Sequence, residues 1–210
     1  MQYPRISDTH TNEGEGPSDF TSSINGLDVG TTYYVRSFAT NNEGTGYGSQ
    51  LTFTTPDSLF TGINYSGGII FYLDSTKQHG LACALNDQAV ASDWGCAGNF
   101  ITGADGNMIG MGRQNTLDIL VGCDSAGIAA RICADLSLNG YSDWFLPSKD
   151  ELAAMYTILK MHGKGNFSDA AYWSSSEMNS SFAWQVIFTN GIVQGVSKNN
   201  HNSVRAVRTF

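Results

Sequence analysis

The sequence predicts an α+β protein, a small all-β segment followed by a larger mixed domain. Three observations predict it. Short runs with two-residue alternation dominate both ends of the chain. Helical periodicity is confined to the stretch between them. The 24 glycines accompany only 4 prolines, a balance that suits many turns and short strands.

At 210 residues the chain is long enough for one large domain or two modest ones. Its net charge of -8, from 11 Lys+Arg against 19 Asp+Glu, argues against nucleic acid and anionic membrane as partners. No apolar run approaches the roughly 18 residues that cross a bilayer, so no membrane insertion is expected. The polar opening lacks the apolar core of a signal peptide and reads as the interior of a longer chain.

Residues 1–56 form the first segment, with little periodicity before residue 23. In TTYYVRSFAT, Tyr33, Val35, Ser37 and Ala39 share one strand face, and Tyr34, Arg36, Phe38 and Thr40 the other. A turn at 41–46 leads to a second strand over 49–55 with Leu51 and Phe53 on one side, an antiparallel hairpin. Leu27 and the run GTTYYVR with Tyr33 make residues 25–55 resemble the last two strands of a fibronectin type III module. A full module has about seven strands, so the earlier ones are expected to be missing. Thr55-Pro56-Asp57 ends the segment, and 57–62 reads as a linker.

The second domain, 63–210, opens with strands at Gly67–Asp74 and Gly80–Leu85. A long irregular segment, 86–112, follows, with Trp94 and Phe100 expected to pack it locally. Helices are predicted at 114–121 and 126–136, the second capped by Ser125. The firmest helix is 149–160: Ser148 and Glu151 make a capping box, and Leu152, Met155, Tyr156 and Leu159 line one face. Cys83, Cys96, Cys123 and Cys133 are even in number and match no common zinc spacing. Their pairing stays open: Cys123 and Cys133 are close enough to bridge, and Cys96 competes for either.

The last forty residues hold YWSSSE and three short strands. In 183–189, Trp184, Val186 and Phe188 share one face and Ala183, Gln185, Ile187 and Thr189 the other. Asn190-Gly191 predicts a tight hairpin turn, and Ile192, Gln194 and Val196 alternate with Val193, Gly195 and Ser197 on the return strand. A polar loop, KNNHN, precedes a closing strand over 203–210.

GGIIFYLD, HGLACALNDQ, DWGC, GIAARICADL, NGYSDWFLPSKDEL, YWSSSE and VRAVR together resemble a bacterial surface domain family over 63–210. That family includes the C-terminal domain of a Legionella collagen-like adhesin. The resemblance implies a C-type-lectin-like fold, similar to the variable proteins of diversity-generating retroelements, with paired terminal strands and two helices. It implies adhesion or ligand binding at a bacterial cell surface, as in Bacteroidetes surface proteins, or on a virion. Diversified proteins of this type carry asparagine-rich segments near the C terminus, and 178–203 is dense in asparagine. The implied ligand positions are Met178, Ser180, Phe182, Gln185, Ile187, Thr189, Ile192, Gln194, Val196 and His201. The implied scaffold positions include Trp173, Glu177, Trp184, Phe188, Val204 and Arg205, with Glu177 and Arg205 expected to pair.

Enzymatic chemistry finds no foothold. Oxidases of this fold class need a reactive cysteine pair near the late strands, and no cysteine follows Cys133. The four histidines are scattered, Ser174–Ser176 lack a histidine and acid at triad spacing, and GADGN is too short for a calcium loop. Those three serines read as hydrogen-bonding a turn. No cofactor or metal is expected. The expectation is a non-enzymatic domain that displays 178–203 to a protein or glycan, an oligomer being compatible with it. The competing expectation is a structural or assembly module of a surface appendage with no specific ligand.

Overall fold

The run of β-branched and aromatic residues after Gly30, TTYYV, builds the first strand. The computed structural model describes residues 3–16, 19–22, 24 and 27–210, so Asn25 and Gly26 of the fibronectin-like stretch lie outside it. The chain forms two compact units, Met1–Leu59 and Phe60–Phe210. In the first, β1 (Thr32–Val35), β2 (Phe38–Asn41), β3 (Gly44–Tyr47) and β4 (Leu51–Thr54) make one long hairpin in two ladders. β1 pairs with β4, placing Tyr33 opposite Phe53 with rings stacked at 5.8 Å, and β2 pairs with β3. The Tyr33 hydroxyl accepts the Asp28 N–H at 2.8 Å, which ties the entering chain to the strand. No residue of these four strands is buried.

The second unit contains β5 (Asn64–Tyr65), β6 (Gly68–Leu73), β7 (Gly80–Cys83), β8 (Ala89–Ser92), α1 (Gly112–Gly122), α2 (Ala129–Ala134) and α3 (Lys149–Ile158). β9 (Ala171–Glu177), β10 (Phe182–Ile187), β11 (Ile192–Ser197), β12 (Asn202–Val204) and β13 (Val207–Thr209) complete it. They form a five-stranded sheet in the order β11-β10-β9-β12-β8 and a four-stranded one in the order β13-β7-β6-β5.

Several expectations are corrected. The irregular segment 86–112 contains β8, held by β12. α2 begins at Ala129 rather than 126, because Gly127 has φ +72° and Ile128 is extended; Ser125 caps nothing. α3 keeps its capping box, with both reciprocal bonds present, and ends in a short 3-10 turn stopped by Gly163 at φ +66°. The β10–β11 connection spans four residues, 188–191, not two, with Gly191 left-handed at φ +76°. Phe188 therefore sits in the loop, buried against Tyr156, Phe167 and Tyr172.

The predicted closing strand is two strands in different sheets. β12 lies parallel to β9, while β13 runs antiparallel to β7. The chain changes sheet at Arg205, which is fully buried. Its Nε donates to Asp87 at 2.8 Å, and its other nitrogens donate to the carbonyls of Ala84, Gly165 and Asn166. Arg205 pairs with Asp87 and not, as expected, with Glu177. The guanidinium fork suits this place because it can bond several carbonyls and a carboxylate at once.

Each face of the β9–β10 pair is covered by its own core. Trp173 and Ala183 pack with Trp94, Ile119, Cys133 and Val204. Tyr172 and Val186 pack with Phe71, Leu152, Met155 and Val207 beneath α3. Adjacent strand residues point to opposite faces, so Tyr172 and Trp173 anchor two cores from neighbouring positions. Cys96 and Cys123 form the disulfide, with Cα atoms 5.8 Å apart. The 123–133 bridge does not form; Cys83 and Cys133 are free, and burial pushes both thiols up, that of Cys83 to about 12.

The Tyr172 hydroxyl donates to Asp87 at 2.9 Å, and burial followed by this carboxylate pushes its pKa from 10.0 up to about 12. A folded pKa above the unfolded one favours the neutral phenol. Its contribution is complete below pH 10 and disappears as pH rises through 12. Chemical denaturation at stepped alkaline pH is expected to show stability falling across this window, with a smaller fall in Tyr172→Phe. Equal slopes would exclude the coupling.

Candidate ligand-binding surface

The surface formed by 178–203 rests on a buried charge pair. Lys198 follows β11, and its ammonium bonds the Glu177 carboxylate at the end of β9; both side chains are fully buried. The same ammonium donates to Asn99 O at 2.8 Å and lies 4.5 Å from the Trp94 ring centre. Glu177 also accepts the Ile101 N–H at 3.0 Å. Two buried opposite charges are tolerable when hydrogen bonds satisfy the remaining donors and lone pairs.

This pair joins three segments. Gly98 N–H donates to Ser180 O, Lys198 N–H to Ser181 O, and Trp94 N–H to Lys198 O. The Cys96–Cys123 bridge holds the Trp94–Ile101 loop against the end of α1. Closing a 27-residue separation contributes about 3.5 kcal/mol in the chain-entropy picture.

Phe100, expected to pack this loop, is instead 58% exposed, while Trp94 is buried and donates its indole N–H to Ser174 O. Ser174–Ser176 are strand residues of β9, not turn residues. Ser174 Oγ donates to Trp184 O, Ser176 Oγ donates to Gly106 O, and Ser175 accepts from Asn115.

The expected ligand positions separate into groups. Met178, Phe182 and Ile192 are exposed, at 51%, 43% and 49%, as are Thr189, Gln194 and His201. Ser180, Ile187 and Val196 are half-buried. Gln185 is buried, and its side-chain oxygen accepts from Asn202 at 2.8 Å. Contrary to expectation, Gln185 and Ile187 in the middle and end of β10 are not in solvent, because a core lies on each face of the β9–β10 pair. β11, at one edge of the sheet, keeps Ile192, Val193 and Gln194 exposed. Of the scaffold set, Trp173, Glu177, Phe188, Val204 and Arg205 are buried, whereas Trp184 is half-exposed with the Lys149 ammonium 5.1 Å from its ring centre.

Three asparagines of the dense segment have local structural partners. Asn179 Oδ1 accepts from Ser181 and Phe182 N–H, Asn190 Oδ1 accepts from Ile192 N–H, and Asn202 holds Gln185. Val193 and the pair Met108 and Ile109 are exposed but were not among the expected ligand positions. Val193 could have been found, because an edge strand exposes both faces. A groove of about 410 Å³ lies between Leu85–Gln88 and the Ile132–Asn139 stretch, and none of residues 178–203 lines it.

The sequence profile of the Lcl C-terminal domain matches residues 86–208, more than half of the chain. The chain belongs to the Lcl C-terminal domain family. In this Lcl C-terminal domain the matched stretch includes β8 through most of β13, hence the disulfide, the Lys198–Glu177 pair and all of 178–203. No curated protein matches the chain. Among solved structures, a fimbrial protein from Bacteroides ovatus is similar at 14% identity and a TM-score of 0.49 over 82% of this chain. The chain spans 56% of that protein's length. No helix among the described residues is long and apolar enough to cross a membrane.

Removing one partner of a buried pair strands the other. Lys198→Met is expected to cost about 3–5 kcal/mol, and the double variant with Glu177→Gln less than the sum of the singles. Urea titration of the four proteins checks this, and additive costs would show that the pair does not act as a unit.

Proposed function

We propose that this chain is a non-enzymatic surface protein whose C-terminal unit binds a protein or glycan ligand. The ligand positions are the exposed ones, Met178, Phe182, Thr189, Ile192, Gln194 and His201, with the half-buried Ser180 between the first two. One observation carries the reading. Met178, Phe182 and Ile192 stand in solvent at the ends of strands, the first two beside a buried ion pair and a disulfide-anchored loop. Solvated apolar groups on a fixed frame favour recognition, because little conformational entropy is lost on binding.

Membership of the Lcl C-terminal domain family supports an adhesive role at a surface, and the disulfide suits an oxidising environment. The C-type-lectin-like reading of the fold is supported by β13 closing onto β7, which brings the end of the unit beside its first long strands. The fibronectin-like reading of the first unit is supported by the Tyr33–Asp28 bond, since such modules anchor a tyrosine hydroxyl to upstream backbone. The raised thiols of Cys83 and Cys133 speak for inert packing rather than chemistry.

Labelled protein is to be applied to a glycan array and a surface-protein array, beside Met178→Ser/Phe182→Ser. Both side chains are exposed, so the variant should keep its unfolding midpoint within about 1 kcal/mol and lose the wild-type signals. Undiminished binding would place the ligand elsewhere. The diversified form of the proposal expects an imperfect copy of the 178–203 coding segment nearby, differing at adenines, beside a reverse-transcriptase gene. Its absence removes diversification and leaves binding intact.

A further inference from the structure

The five-stranded sheet ends on β11, and its outer edge carries a self-complementary pattern. β10 and β11 pair with Gln185 opposite Gln194 and Ile187 opposite Ile192. In the same register the Lys198 N–H donates to Ser181 O. Antiparallel pairs alternate between bonded and non-bonded, so Val196, Gln194 and Ile192 direct their backbone groups to β10. Val193 and Gly195 therefore turn theirs outward, to a side where no described strand lies. Ser197 already uses its carbonyl to accept from Asn200.

We infer that β11 pairs antiparallel with β11 of a second copy of this chain, across a two-fold axis through Gln194. Only this register lets the outward groups of Val193 meet those of Gly195 in the partner copy. It places Ile192 opposite the second copy's Val196, and Gln194 opposite its own equivalent. The pairs match chemically: two apolar contacts flank two amides that can hydrogen-bond each other. The sulfur of Met178 occupies the space where a side chain on Gly195 would project, so the opposing Val193 would meet apolar cover there.

Charge favours the same occupant. The run Gly191–Ser197 holds no charged residue in a chain of net charge -8, so self-pairing brings no like charges together within the strand. It also has none of the edge protections, no proline, no inward lysine and no bulge against β10. The opposite edge, β8, is less suited. It has four residues, the carbonyls of Val90 and Ser92 already accept side-chain bonds, and Asp87 and Asp93 flank it.

One strand pair with its flanking side chains covers less than the roughly 1,200 Å² of tight complexes, so the dimer is expected to depend on concentration. Two copies would present two sets of the exposed positions outside the strand pair, Phe182, Thr189 and His201, which raises avidity for a repeated ligand. Pairing and the ligand reading share Ile192 and Gln194, but sedimentation reads pairing with no ligand present, so the two fail separately.

Sedimentation velocity on the full chain, from micromolar to about millimolar, tests it. Wild type is expected to shift from monomer to dimer. Gln194→Lys and Gln194→Glu each place like charges face to face, and each should weaken dimerisation about tenfold or more. An equal mixture of the two variants should restore a dimer. A wild type monomeric throughout, a variant that dimerises like wild type, or a mixture that stays monomeric would each overturn the inference.

Discussion

The Lys198–Glu177 pair is the constraint on which the late half of the molecule depends. It lies where the end of β9, the residue after β11 and the disulfide-bonded loop converge, and no water-facing route serves either charge. Each charge is held by the other and by backbone groups of the Asn99–Ile101 segment. The loop therefore cannot move without exposing a charge to an unsatisfied interior, which is among the more costly events in a protein. Met178 and Phe182, at that end of the sheet, are tied to the same junction through the carbonyls of Ser180 and Ser181.

A second constraint is the position of β9 between two cores. Its neighbours Tyr172 and Trp173 feed opposite faces, and Arg205 bridges the place where the chain leaves one sheet for the other. A sheet buried on both faces has no wet face to offer a ligand. Display is confined to what remains: turns, the β11 edge and the ends of the sheet. That is why Gln185, a polar residue in mid-strand, is satisfied by Asn202 rather than by solvent.

Local patterns were legible where local physics decides them. The capping box at Ser148 and Glu151 involves residues three apart, so the sequence alone foretold both bonds. The strands at Gly68–Leu73, Phe182–Ile187 and Ile192–Ser197 followed from short apolar runs and alternation. Partners were less legible. Glu177 had two cations within reach by sequence, Lys198 and Arg205, and nothing local chooses between them. Asp87, 118 residues from Arg205, took the arginine because β7 and the β12–β13 crossing bring them together.

By itself, the sequence determined the α+β class, the strongest helix, most strands and membership of a recognisable family, since propensity, capping and motif spacing act over a few residues. The tertiary structure alone decided that Cys96 bridges Cys123, that the closing run divides between two sheets, and that β10 is covered on both sides. Those outcomes depend on which surfaces meet across long separations. Burial on the second face of a strand leaves no mark in the strand's own alternation.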